Sequence, residues 1–598
     1  MKTPEIPLES LDVVRAAALL GESFSLQVLF DVGVEPSSLD SLFDDGVLVE
    51  QAAGQAQFKD FQVRKELLSQ LPWSFRRSWS LKLAESLEKL KGDPDRLGEL
   101  YLSAQVFDRA RPYLIRAAED ACMANNYLRA LTLLRQVFEI WDPDETPASR
   151  SRLLREMARC AANTGDHESA VLAWEELLEN ARAQHDLSAQ IEAHQQLAEW
   201  AGKQGSRNRV RDQLRAAAEL SVEVGDPDKE ARHWFEYAGF LMIQVKLHDA
   251  NVAFEKAYQA AEKGKDVARR IEILATRALG QAMIGNSELA FAWVDQALNN
   301  AIKHELPEQV SYVYRRMANV NEYSGNFQAY LELELKALDR CQASGDDGME
   351  QSCFSCLSCA FFRCGQWKRS QEMLHLVIDE LELQGELRMI AVGTRSAISA
   401  FRGERKLAEK NRKQFNELVR LYGGAYMQFH VYWGIGTLAH LDGDTESAQR
   451  EFSDFIDHWY DTEDRHDAVP GLAAACSFYA DTNQSALLAQ CIDILNTIVA
   501  DSNNAENRAA REAALAEGAW VKGDVQKSIN LALSSLELYE ELKTPIEVAF
   551  ISRRLGKMYQ SMGDAKSAES YFQKGEGIAR RLGMRPLLEA IRADRSAN

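Results

Sequence analysis

Glycines at a near-constant interval constrain this chain more than any other feature. Gly165, Gly205, Gly285, Gly325, Gly365, Gly403, Gly443, Gly523 and Gly563 stand 40 residues apart or a multiple of it, with one step of 38. Asn125 extends the series towards the start, and unmarked turns are expected near Val245 and Asn483. Similar segments surround the marks, among them NTGDHESA from Asn163, LDGDTESA from Leu441 and SMGDAKSA from Ser561. Self-similarity at such a period is the mark of a solenoid, in which a unit buries its apolar face only by stacking on its neighbours.

A glycine accepts the left-handed backbone that ends one helix, and the polar residue beside it starts the next. Five positions on, a small side chain recurs: Ala170, Ala250, Ala290, Ser370, Ala408, Ala448, Ser528 and Ala568. Small residues there let antiparallel helices approach closely. Val210 and Tyr330 break the rule and predict looser packing or a shifted register. Before the turns run apolar stripes at helical spacing, such as Trp234, Tyr237, Ala238 and Leu241, or Leu555, Gly556 and Tyr559 followed by Ala568 and Phe572. From about residue 95 to the end this pattern resembles the tetratricopeptide repeat. Its period exceeds that family's usual ~34 residues, which implies longer helices or longer inter-repeat loops.

Residues 1 to about 90 do not follow the interval. Helices are predicted over Leu11–Leu20, from near Ser25, and over Ser37–Asp44. Two short strands around a glycine turn follow in DDGVLVEQAAGQAQFKDF, then more helix. The phrases VVRAAALLGESFSLQVL, LDSLFDDGVLVE, FKDFQVRKELLSQLP and FRRSWSLKLAESLE resemble the region after the ATPase core in STAND-type signalling ATPases, including maltose-regulator-like activators. YLSAQVFDRARPYLIRAAEDACMANNYLRALTLL is similar to the start of their repeat arm, and ARRLGMRPLLEAI to its end. The resemblance implies an N-terminal winged helix and a superhelical sensor arm. Asp60 stands where the family often has histidine, and no G-x-x-x-x-G-K-[ST] phosphate loop occurs, so the ATPase is missing. Whether the sequence is a stand-alone arm or a piece of a longer protein stays open. The expected fold is all-α: a right-handed tetratricopeptide-like α-solenoid of about 40-residue helix pairs over 91–598, after a winged-helix-like domain over 1–90.

A formal net charge of −21 disfavours nucleic acid and anionic membranes as partners. No apolar stretch is long enough to span a bilayer. Nine cysteines without a signal peptide point to reduced thiols in the cytoplasm.

CFSCLSCAFFRC offers Cys353, Cys356, Cys359 and Cys364 at spacings that partly match an iron–sulfur run. The repeat places them along a helix, where they cannot converge as loop ligands do, so packed thiols are expected and no metal. The acidic stretch with Asp457, His458, Asp461, Asp464, His466 and Asp467 is expected to be a solvated loop. Two basic runs, Arg207, Arg209, Arg211 and Arg215, then Arg405, Lys406, Lys410, Arg412 and Lys413, are read as solvated faces, with a rim for an acidic partner as the alternative. No catalytic constellation and no cofactor motif is present, so an enzyme is not expected.

The first helix of each repeat lines the concave face of a solenoid. Off-stripe positions there supply a candidate partner-binding groove: Arg152, Arg155, Arg159, Arg232, Phe235, Tyr312, Arg315, Asn319, His430, Trp433, His440, Arg553 and Lys557. Arginines pair bidentately with carboxylates, and aromatics add contact area. Arg315 with Asn319 resembles part of the carboxylate clamp of chaperone-binding tetratricopeptide domains, although Cys356 stands where the next repeat would supply a polar partner. The function expected is a cytoplasmic, non-catalytic scaffold or regulatory arm holding an acidic or extended segment of a partner protein. Alternatives are a transcription-regulator fragment whose winged helix contacts DNA, and a small-molecule sensor arm.

Overall fold

The computed structural model describes residues 10–422, 427–463 and 466–596. They form 31 α-helices, one π-helical turn and three short strands, packed as two compact units that divide after Trp200.

The first unit opens with the helices Leu11–Leu20, Leu26–Asp31 and Ser37–Asp44 and an antiparallel sheet. Gln55–Phe58 is its central strand, between Leu48–Ala52 and a third strand, Ser23–Ser25, too short to leave a sequence signal. Leu48, Ala56, Phe24 and Phe58 turn inward. Asp60 has a structural use: its carboxylate accepts the Gln62 N–H at 2.8 Å and caps the helix Phe61–Ser69. Pro72 separates that helix from Trp73–Lys89. Helix pairs then begin with Pro94–Ser103 and Phe107–Met123 and continue through Pro147–Thr164 and His167–Ala183.

In the second unit the pairs repeat with little variation. Val267–Met283, Ser287–Lys303 and Pro307–Tyr323 are each 17 residues long, separated by three-residue turns. Longer helices, and not longer loops, therefore make the 40-residue period. The step of 38 falls where Trp367–His375 ends in the π-helical turn Leu376–Glu380.

All nine marker glycines have positive φ, and so do Asn125, Val245 and Asn483, where unmarked turns were expected. After the glycine an aspartate commonly caps the next helix, as Asp166, Asp444 and Asp564 do by accepting the N–H of Ser169, Ser447 and Ser567. The eight small residues five positions on are all buried. Tyr330 does not loosen its repeat: the ring is fully buried and its hydroxyl donates to the Cys356 carbonyl at 3.1 Å. Val210 is only partly buried.

Turns of the second unit also meet helices far along the chain. A side chain at Gly285 would come within 2.8 Å of Ser502, and one at Gly365 would collide with Pro545. The Arg207 guanidinium donates to the Val419 carbonyl, and the His248 N–H to Glu463 Oε2 at 2.9 Å. Successive turns of this superhelix therefore rest on one another, and its inner face is divided into cavities.

Candidate functional site

The thirteen candidate residues separate into three groups and one residue apart, His430. Arg152, Arg155 and Arg159 share one face of Pro147–Thr164 in the first unit. They pair with Glu119, with Glu192 at 2.8 Å and with Glu156 at 2.5 Å respectively. Their side chains are 54%, 37% and 51% exposed, so these are surface pairs. Arg232, in the second unit, is likewise exposed and pairs with Glu236 at 2.9 Å.

Phe235, Tyr312, Arg315 and Asn319 line one cavity of the second unit, with a volume of about 660 Å³. The helices Pro227–Ile243, Val267–Met283, Pro307–Tyr323, Asp347–Arg363 and Gly385–Phe401 all contribute to its wall. Arg316 Nη2 donates to the Tyr312 hydroxyl at 3.1 Å, and that hydroxyl lies 2.6 Å from Thr276 Oγ1. Arg315 Nη1 meets only the Met349 sulfur, at 3.0 Å, among its described contacts. Burial pushes the Glu322 carboxyl up to about 8, helped by the nearby charge of Glu334 and opposed by Asn319. Burial likewise raises Glu386, against the pull of Arg316 and Arg315. Behind Arg315, burial lifts Glu334 to about 7 although the guanidinium opposes the shift. Sequence reasoning missed Arg316 and Glu322, because neither stood out within an ordinary helical stripe.

Trp433, His440, Arg553 and Lys557 border a smaller cavity between Gln428–Leu441, Val469–Asp481, Ala505–Val521 and Pro545–Ser561. Its charges are largely spent on one another. Asp481 takes Arg554 at 2.6 Å, His440 at 3.2 Å and Lys557 at 3.6 Å. Burial alone would raise the Asp481 carboxyl, but these neighbours hold it far below the usual carboxylate range. Arg553 pairs with Asp594 at 2.6 Å.

His430 belongs to neither cavity. It is buried beside Arg363, whose guanidinium lies 3.3 Å from His430 Nε2 and donates to Glu506 at 2.5 Å and Glu547 at 3.2 Å. Burial, then the Arg363 charge, keeps the imidazole neutral. Trp433 also differs from a groove residue in being 2% exposed.

The cysteine-rich run lies on Asp347–Arg363 with Cys353, Cys356 and Cys359 buried, and burial raises their thiols. No group of potential ligands converges for a metal among the described residues. The acidic stretch corrects the expectation of a solvated loop. Asp457, His458 and Asp461 extend the helix Thr445–Asp461, while His466 and Asp467 are buried, with His466 Nδ1 3.4 Å from Glu506. Asp464 lies outside the described residues. Of the basic runs, Arg207 and Arg412 are not simply solvated: Arg412 reaches the buried Glu451 at 2.6 Å. No described helix is long and apolar enough to cross a membrane.

Recurring helix pairs, left-handed turns often marked by glycine, and small residues at the pair contact make this an all-α solenoid of the tetratricopeptide type. No protein-family model matches the chain, and no curated protein does. Among solved structures it is similar to a Rap protein complexed with Competence and Sporulation Factor, at 13% identity over 59% of this chain and 99% of that one, with a TM-score of 0.46. It is also similar to a STAND protein with a tetratricopeptide repeat sensor from Pyrococcus horikoshii, at 14% identity and TM-score 0.33, covering 69% of this chain and 64% of that one. A third likeness is to the APC/C hetero-tetramer Cut9-Hcn1, at 13% identity and TM-score 0.43 over 81% and 89%. The solenoid assignment rests on the helices of this chain.

Proposed function

We propose that the chain is a non-catalytic regulatory arm, working in the cytoplasm, that binds an acidic segment of a partner protein. In this reading residues 1–90 are a winged-helix-like docking domain, and 91–598 are the repeat arm. The strand order at the start of the chain, with its helices packed alongside, supports the first assignment.

The observation that carries the binding role is the stripe Arg152, Arg155 and Arg159. Three guanidinium groups share one helix face, accessible to solvent and, among the described residues, paired with surface carboxylates. Such pairs contribute little stability, about 0–1 kcal/mol, so an incoming carboxylate can displace the resident one at small cost. Each arginine presents a planar fork suited to a bidentate partner.

The test is affinity capture with wild type and with Arg152→Glu/Arg155→Glu/Arg159→Glu, followed by titration of the purified partner. Loss of binding with unchanged helical signal and melting supports the stripe as the working surface. Equal affinity for the variant refutes it.

A further inference from the structure

We infer that the larger cavity of the second unit is a site for a small amphipathic organic acid, held by its carboxylate on Arg315 and Arg316 with its apolar body among the surrounding helices. This site is separate from the surface stripe of the first unit and does not depend on it.

The cavity is about 660 Å³, within the ~300–1,000 Å³ of small-molecule sites. Its apolar wall includes Phe240, Leu279, Met283 and Ile390. Against that wall, the Nε atoms of Arg315 and Arg316 are buried with no hydrogen-bond partner among the described residues. Both side chains line the cavity, and a guanidinium is an obligate donor whose planar fork pairs bidentately with a carboxylate. Four acids border the cavity: burial shifts Glu322 and Glu386 towards their neutral forms, Glu236 pairs with Arg232 at 2.9 Å, and Asp467 lies 3.8 Å from His430.

The Arg363, Glu506 and Glu547 cluster is fully buried. Glu547 borders the smaller cavity, and Cys359, one helical turn before Arg363, borders the larger one. The cluster therefore adjoins the lining of both cavities.

The probes are decanoate and 3-phenylpropionate, each beside its primary amide, and an extended peptide of glutamates. They are tested on the full chain by thermal shift and isothermal calorimetry. Expected is stabilisation by at least one acid and not by its amide, with affinity falling tenfold or more in Arg316→Gln and unchanged in Arg580→Gln, a surface substitution elsewhere. Arg316→Met, which keeps the apolar stem, guards against a loss caused by misfolding: it should melt like wild type yet lose the preference for acid over amide. Equal binding of acid and amide overturns the proposal, as does the absence of any acid-dependent shift. Peptide binding with neither acid binding also overturns it, while leaving the surface-stripe reading intact.

Discussion

Arg363 and Glu506, 143 positions apart in sequence, meet at 2.5 Å with both side chains 1% exposed. Glu547, His430 and His466 join the cluster, which ties the helix Asp347–Arg363 to helices far along the chain. Taking such charges out of water is costly unless each is matched.

Arg363→Met is accordingly expected to destabilise the second unit by about 3–5 kcal/mol, because Glu506 would remain buried without its partner. Arg363→Met/Glu506→Gln should recover part of that loss. Urea unfolding followed by circular dichroism measures both, and a milder single variant than double variant would contradict the coupling.

Glycine turns that touch a distant helix should be less replaceable than free ones. At Gly563, with φ 80° and nothing nearby, alanine should cost about 1 kcal/mol for the left-handed backbone. Gly365→Ala adds the collision with Pro545 and should cost clearly more. Equal unfolding midpoints for the two variants would show that the superhelical turns do not press together there.

Non-glycine residues at left-handed turns point the other way. Glu305 and Lys543 are exposed with φ 56°. Replacing either by glycine should stabilise by roughly 0.5–1 kcal/mol, the relief of backbone strain less the added freedom of the unfolded chain. Thermal melts of the two single variants check the sign.

The buried acids predict a pH dependence. Folded Glu322 holds its proton to about 8, against an ordinary value of 4.5. Between those values the folded chain keeps a proton that the unfolded chain has released, so stability falls as pH rises through the window. Glu334, raised to about 7, acts in the same sense. Melting temperature should drop from pH 7 to 8.5, above the range in which the buried neutral His430 acts in the opposite sense, and Glu322→Gln should flatten the drop. An identical slope in the variant would remove Glu322 from the account.

Thiol reactivity should follow burial. Cys364, partly exposed and pushed up to about 11, is expected to alkylate before Cys353 and Cys359, which are more deeply buried. Mass spectrometry of native protein after timed iodoacetamide treatment reads the order.

Much of the repeat was legible because its causes are local. A left-handed residue, a capping aspartate and a small side chain five positions later act within one helix pair, so each leaves a mark at fixed spacing. The inter-repeat turns were overlooked at His185, Glu305 and Lys543, where φ is 55°, 56° and 56° without a glycine. A signal was nevertheless present: Gly225 and Gly345, also with positive φ, stand midway between 40-residue steps, and Gly583 stands half a step past Gly563.

The candidate site was legible only in part. Periodicity told which residues lie off the apolar stripe of a first helix. It could not tell whether such a residue would face solvent like Arg152, a cavity like Arg315, or a buried cluster like His430. His466 and Asp467 show the same limit, since an acidic segment that reads as solvated is covered by another turn of the superhelix.

Sequence alone thus determined the helix pairs and the turns within them, because hydrogen bonding, capping and close helix contact are decided within some 40 neighbouring residues. Tertiary structure alone decided how the inner face is divided and where its charges go. The contacts that do so, Arg363 with Glu506 and Gly365 against Pro545, join positions far apart that share no period. They depend on how the small rotation from each repeat to the next accumulates around the superhelix, and no local pattern encodes that sum.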